Sequence, residues 1–154
     1  MAHSTAGVLT HATGTSSKSK AFTITTHVAR VVLGLIFFVL GLNKFLQFIP
    51  MPPPEGLAGE FMFGLSKAPY MFPLIGLIEV VAGVLLLSGR VVPFALLLLF
   101  PINLNIFFFH LVLAPENMVM AVFIMAAHIL LAVYYWQVYK PIFMVENAWK
   151  SKRS

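Results

Sequence analysis

Cysteine is absent from the 154 residues, which removes thiol–disulfide exchange, thiolate catalysis and cysteine-held metals or iron–sulfur clusters from this chain's own chemistry. Charge is almost as scarce. Only 10% of the residues are charged, while 60% are hydrophobic and the mean hydropathy is +0.93; an ordinary soluble domain carries about 25% charged residues. The few basic residues form no cluster interleaved with aromatics of the kind a single-strand binder needs, so nucleic-acid binding is not expected. A soluble catalytic module has no room in a chain of this length once its apolar runs are set aside.

Those runs are what the chain does have. Four stretches, Val28–Leu46, Tyr70–Ser88, Val91–Leu113 and Asn117–Trp136, are each long enough as a helix to cross a hydrocarbon core about 30 Å thick. The expected fold is all-α, a bundle of four transmembrane helices in a lipid bilayer. Residues 1–27 read as a polar N-terminal tail without the apolar stretch of a cleaved secretory signal, and residues 137–154 as a basic C-terminal tail. The threonines before His27 are placed to cap the first helix. Ser88-Gly89-Arg90, with Pro93 beyond it, and Pro115-Glu116 read as tight turns, which make spans two, three and four antiparallel neighbours. Between spans one and two, Pro50-Met51-Pro52-Pro53-Pro54 cannot continue a helix. The following stretch, residues 55–67, reads either as a short interfacial helix or as a loop over the bundle mouth. Pro101 is expected to disturb the third span.

The net charge of +5 is an orientation signal. Lys18, Lys20, Arg30, Arg90, Lys140, Lys150, Lys152 and Arg153 fall on one side of the bundle, against Lys44 and Lys67 on the other. The positive-inside rule then puts both termini in the cytoplasm. Tyr134, Tyr135, Trp136 and Trp149 suit the membrane interface.

Ionisable and amide side chains interrupt the apolar runs, and a charge at the bilayer centre costs at least about 2.5–3.5 kcal/mol, so such groups need partners inside the bundle. At 100° per residue Gly76, Glu79 and Gly83 share one face of span two, and small residues let a neighbouring helix come close. Gly34 and Gly41 mark the packed face of span one, with Lys44 one turn beyond. Ala121, Met125, His128, Ala132 and Tyr135 share a face of span four; Asn103 and His110 share a stripe of span three, with Asn105 pointing elsewhere. Helix rise puts Asn43, Lys44 and His110 near the outer mouth and Glu79, Asn103 and His128 near the midplane. These six residues are the expected intramembrane polar or ligand site. Glu79 is expected to pair with His128 or with Lys44, either as a clamp between helices or as part of a proton-handling or ligand-binding patch. The two histidines read as bundle residues rather than metal ligands, and nothing in their spacing supports haem ligation.

The sequence resembles the DoxX family of small bacterial membrane proteins. The likeness rests on Ala29-Arg30-Val31-Val32-Leu33-Gly34-Leu35, Gly41-Leu42-Asn43-Lys44-Phe45, Gly76 through Gly83, Gly89-Arg90-Val91-Val92-Pro93 and Asn105 through His110, in that order. The resemblance implies a four-helix bundle in the bacterial inner (cytoplasmic) membrane. It further implies an accessory or anchoring subunit of a membrane redox complex, partnered by other subunits or by copies of itself, and quinone as the ligand by analogy. Lys44, Glu79 and His110 would then stand beside the quinone carbonyls. Relatives in the wider four-helix grouping that relay disulfides use cysteines, which this chain lacks. A structural edge subunit of a large complex, or a stand-alone carrier of protons or small hydrophobic compounds, are the alternatives. Without an evident inverted repeat the carrier ranks last.

Overall fold

In the computed structural model, residues 13–143 are described, with side chains for residues 20–141. Among the described residues six α-helices follow one another: α1 (Thr13–Leu46), α2 (Gly56–Ser66), α3 (Met71–Ser88), α4 (Val92–Val112), α5 (Met118–Tyr134) and α6 (Trp136–Phe143), with a 3-10 turn at Pro115–Asn117. No strand occurs among the described residues. Lys20–Leu46, α3, α4 and Pro115–Tyr134 are each long and apolar enough to cross a membrane. The protein is therefore a multi-pass, all-α membrane protein.

The four long helices close into a ring in which α1 packs on α3 and α5, and α4 packs on the same two. The α1–α3 seam is the most extensive, and glycine explains why. A Cβ on Gly83 would lie 2.7 Å from the backbone N of Phe38, and one on Gly41 would lie 2.8 Å from the backbone N of Val80. Backbones this close exclude any side chain and gain dispersion and weak polar contacts, which hold helices together where lipid removes the hydrophobic drive. The seven-residue spacing of Gly34 and Gly41, and of Gly76 and Gly83, keeps both pairs on the seam.

The first helix departs from expectation. It runs on from Thr13 instead of starting after His27, because the threonines do not cap. The Thr25 hydroxyl donates to Ala21 O at 3.0 Å and the Thr26 hydroxyl to Phe22 O at 2.8 Å. Back-bonding of this kind absorbs a hydroxyl inside a helix. At its far end α1 stops at Gln47, whose φ of +49° is left-handed and whose N–H returns to Asn43 O. Asn43 then brackets the chain reversal with both ends of its amide, donating to Ile49 O at 3.1 Å and accepting from Ile49 N–H at 2.7 Å.

The turn from α3 to α4 follows the expected chemistry. Gly89 takes φ +70° and its N–H bonds Leu86 O. The Arg30 guanidinium donates to the same carbonyl at 2.7 Å and fills the space a side chain on Gly89 would need. A cation at a helix C-terminus also meets the negative end of the dipole. Arg30 is thus a cap for α3. Val91 adopts φ +46°, a strained conformation for a β-branched residue, immediately before α4. Of the expected tails, residues 1–12 and 144–154 lie outside the described residues, Trp149, Lys150, Lys152 and Arg153 among them.

Candidate functional site

The packed core lies at the end of the bundle that holds the α3–α4 turn. There Leu33 and Phe37 of α1, Leu86 of α3, Leu96 and Leu99 of α4 and Leu131 of α5 are fully or almost fully buried. Toward the other end the same four helices part around a cavity of about 590 Å³, within the range of pockets that hold small organic ligands. Leu40, Phe72, Ile75, Ile102, Ile106 and Ile124 give it an apolar wall, and Met51, Met62, Met71 and Met120 give it a soft, adaptable one.

Residues 55–67, left open between helix and loop, contain α2, and it covers this cavity. Phe61, Met62 and Leu65 face inward, and the Phe61 ring meets Phe109 of α4 at 5.7 Å between centroids. Asn43 sets this cover in place by fixing the direction in which the proline run leaves α1.

Polar groups enter the cavity at a few points. Glu79, 2% exposed at its side chain, accepts from the Lys44 ammonium at 2.5 Å, joining α3 to α1 across the glycine seam. Of the two expected partners for Glu79, the structure chooses Lys44. The lysine stem packs beside Gly76, so its long side chain reaches inward while the carboxylate stays buried. His110 donates from Nδ1 to Ile106 O at 2.8 Å. A carbonyl can only accept, so this contact places a proton on Nδ1, and in the neutral ring Nε2 is then the acceptor.

Four of the six expected site residues, Asn43, Lys44, Glu79 and His110, therefore line one cavity. Asn43 has spent its amide on Ile49. Asn103 and His128 are buried deeper, outside the lining, 1% and 4% exposed. Asn103 has no hydrogen-bond partner at either amide atom, nor His128 at Nδ1, among the described residues. The inward face of α5 centres on Ala121, Ile124, His128 and Leu131, with Met125 and Ala132 only half-buried.

Asn105 was expected to point elsewhere, and it lines the cavity instead. The reason lies in α4. Its buried stripe, Val92, Ala95, Leu96 and Leu99, continues past Pro101 to Asn103, and His110 follows on the same stripe at the cavity. Ile102, Asn105 and Phe109 lie about a quarter turn to one side of that stripe, so the cavity takes in a flank of α4 as well. Pro101, which has no N–H for the helix ladder, itself lines the cavity. A separate stripe from Ile102 through Asn105 to Phe109 was the available signal for Asn105.

Comparison with known proteins finds likeness in sequence. A stretch of 73 residues is 36% identical to the Bacillus subtilis (strain 168) protein named "Putative oxidoreductase CatD", covering 46% of this chain and 48% of that protein. The chain thus spans about half the length of the curated relative it matches. No solved structure matches. The DoxX family pattern matches residues 25–112, a range that holds the glycine seam, the Lys44–Glu79 pair, α2 and all of α4. With more than half of its length matched, and with those features inside the match, the chain belongs to the DoxX family.

Proposed function

We propose that this protein is an accessory subunit of a membrane redox complex and that its cavity takes the head group of a quinone. The observation that carries this reading is an apolar chamber of about 590 Å³ with the Lys44–Glu79 pair in its wall and His110 and Asn105 beside it. Lys44 keeps two ammonium protons beyond the one given to Glu79. It would donate to a quinone carbonyl, and His110 Nε2 would accept from the hydroxyl of the reduced form. The Asn105 amide carries no hydrogen bond among the described residues and is free for either. Methionine and phenylalanine side chains suit a flat ring with an isoprenoid tail. Electrons would come from a redox centre on another subunit. The name of the Bacillus subtilis relative is in keeping with this chemistry.

Orientation is part of the proposal. Lys20, Arg30, Arg90 and Lys140 belong to the end of the bundle away from Lys44 and Lys67. The positive-inside rule puts that end and both termini in the cytoplasm of a bacterial inner membrane, with the cavity in the outer half.

The test is purification from native membranes in mild detergent, with mass spectrometry of copurifying polypeptides and extraction of bound quinone. The expected result is stoichiometric recovery with redox subunits, and quinone that is present in the wild type and lost in Lys44→Met. Recovery of the chain alone, or equal quinone content in wild type and Lys44→Met, overturns the reading.

A further inference from the structure

Two buried polar side chains lie outside the cavity's lining and take no part in the proposed ligand site. Asn103 is 1% exposed with Oδ1 and Nδ2 both unpaired, and His128 is 4% exposed with Nδ1 unpaired, among the described residues. Each unpaired polar group in a hydrocarbon-like interior costs on the order of a few kcal/mol. Three such atoms in a bundle this small call for a common partner.

The helix register brings them together. The Phe100 ring stands 6.1 Å from the His128 imidazole across the α4–α5 interface. Asn103 is three residues beyond Phe100, about 4.5 Å along the axis. Both side chains point inward, since Asn103 shares its face of α4 with Leu99, and His128 shares its face of α5 with Ile124 and Leu131. The cavity ends close by, since its lining includes Ile102, the residue before Asn103, and Ile124, one turn before His128, while neither polar residue lines it. Glu79 lies at nearly the same depth: it is ten residues before Gly89 and Asn103 is twelve after Val91, a difference of about 3 Å on antiparallel helices.

We propose that Asn103 and His128 hold a small cluster of water between α4 and α5, directly beneath the cavity, so that its polar chemistry continues into the packed half of the bundle. Water suits such a mixed set of atoms because it both donates and accepts, and a buried molecule typically makes about three hydrogen bonds. Asn103 Oδ1 accepts from it, Nδ2 donates to it, and His128 Nδ1 takes either role according to its tautomer. The occupied site gives the Glu79 layer a hydrogen-bonded route toward His128, which a dry interface of leucine and alanine would not. This inference does not depend on which ligand fills the cavity above.

The test is water-edited NMR on the full chain in lipid nanodiscs with ¹⁵N-labelled histidine, the His128 signal being assigned by its disappearance in His128→Phe. Magnetisation is expected to pass from water to the His128 ring in the wild type and in Asn103→Ser, which keeps a polar group and adds room. In Asn103→Leu the transfer should fall at least threefold. Absence of transfer in the wild type overturns the proposal without any variant, and so does equal transfer in Asn103→Leu. A dry interface further predicts a higher unfolding temperature for Asn103→Leu, because an apolar group would then replace one without a partner.

Discussion

The two ends of the bundle use the same helices and the same kind of residue, yet one end is filled and the other hollow. Near the α3–α4 turn, Leu86, Leu96, Leu99 and Leu131 interlock behind the Arg30 cap. Toward α2, isoleucine, methionine and phenylalanine enclose open space beside a buried ion pair. Lipid is as apolar as leucine, so hydrophobicity cannot decide which end closes. Three local features separate them. The glycine seam holds α1 and α3 together through both halves, so the space must open against α4 and α5. At the cavity end α4 presents Pro101 and a flank of Ile102, Asn105 and Phe109 in place of interlocked leucines. α2 then supplies the cover that a further turn of packed helix would otherwise provide.

The largest test of this contrast acts on the ion pair. Lys44→Met strands a carboxylate that is 2% exposed at its side chain, and breaking a buried pair from one side costs about 3–5 kcal/mol. The double change Lys44→Met with Glu79→Leu should recover most of that loss, since apolar pairs of similar volume often match or exceed a buried ion pair. Reversible unfolding in mixed detergent measures both. Equal losses in the single and double variants would show that the pair itself, rather than the stranded charge, holds the cavity end together.

Leucine truncation compares the ends directly. Leu99 is 0% exposed and interlocked in the core; Leu99→Ala should cost about 2 kcal/mol, the lower end of the usual range, because only the packing part survives when the unfolded helix stays in lipid. Ile75 faces the cavity, and Ile75→Ala should cost under about 1 kcal/mol because it enlarges a space already there. Matching losses would mean that the cavity end is packed in solution.

Much of this contrast was legible in the residues. The seven-residue glycine spacing marked the seam, the length of the apolar runs marked the four spans, and Lys44 and Glu79 were placed so that one pairing of two was right. What escaped was decided by tertiary context. A single stripe of α4 is too narrow a reading of its cavity face, which also takes in the flank of Ile102, Asn105 and Phe109, and that hid Asn105. Threonine can cap or back-bond, and only the neighbouring turn decides, which hid the early start of α1. Asn43 looked like part of a polar patch because its partner, the backbone of Ile49, has no sequence signature. The covering role of α2 needed Phe109, 48 residues after Phe61 in sequence, and distance of that kind leaves no local pattern.

The seam itself offers the next, smaller effect. Gly83→Ala sets a methyl 2.7 Å from the backbone N of Phe38 and 2.9 Å from Gly34 O, and backbone cannot step aside as a side chain can. Overpacking of this kind costs about 1–3 kcal/mol. Gly64 in α2 has nothing within 4 Å of the corresponding position. Gly64→Ala should therefore be neutral or stabilising by up to about 1 kcal/mol through helix propensity. Thermal unfolding of the two variants side by side separates close helix approach from a general intolerance of added methyl groups.

The smallest effect lies outside the spans, at the filled end. Tyr139 of α6 is 7% exposed and its hydroxyl donates to Pro93 O at 2.8 Å, tying α6 to the first turn of α4. Burial pushes the Tyr139 phenol above its ordinary value of 10.0. A group whose folded pKa is raised contributes stability that is complete below the unfolded value and is lost as pH rises through the folded one. The α6 attachment should thus hold up to about pH 10 and weaken above it. Tyr139→Phe should lower stability by about 1 kcal/mol, the usual net worth of a hydrogen bond, and abolish the tyrosine's share of the alkaline loss. Trp136 begins α6, so tryptophan emission followed from pH 8 to pH 12 reports whether α6 leaves the bundle. An alkaline transition unchanged in Tyr139→Phe would show that the Tyr139 hydroxyl does not govern the attachment of α6 to the filled end.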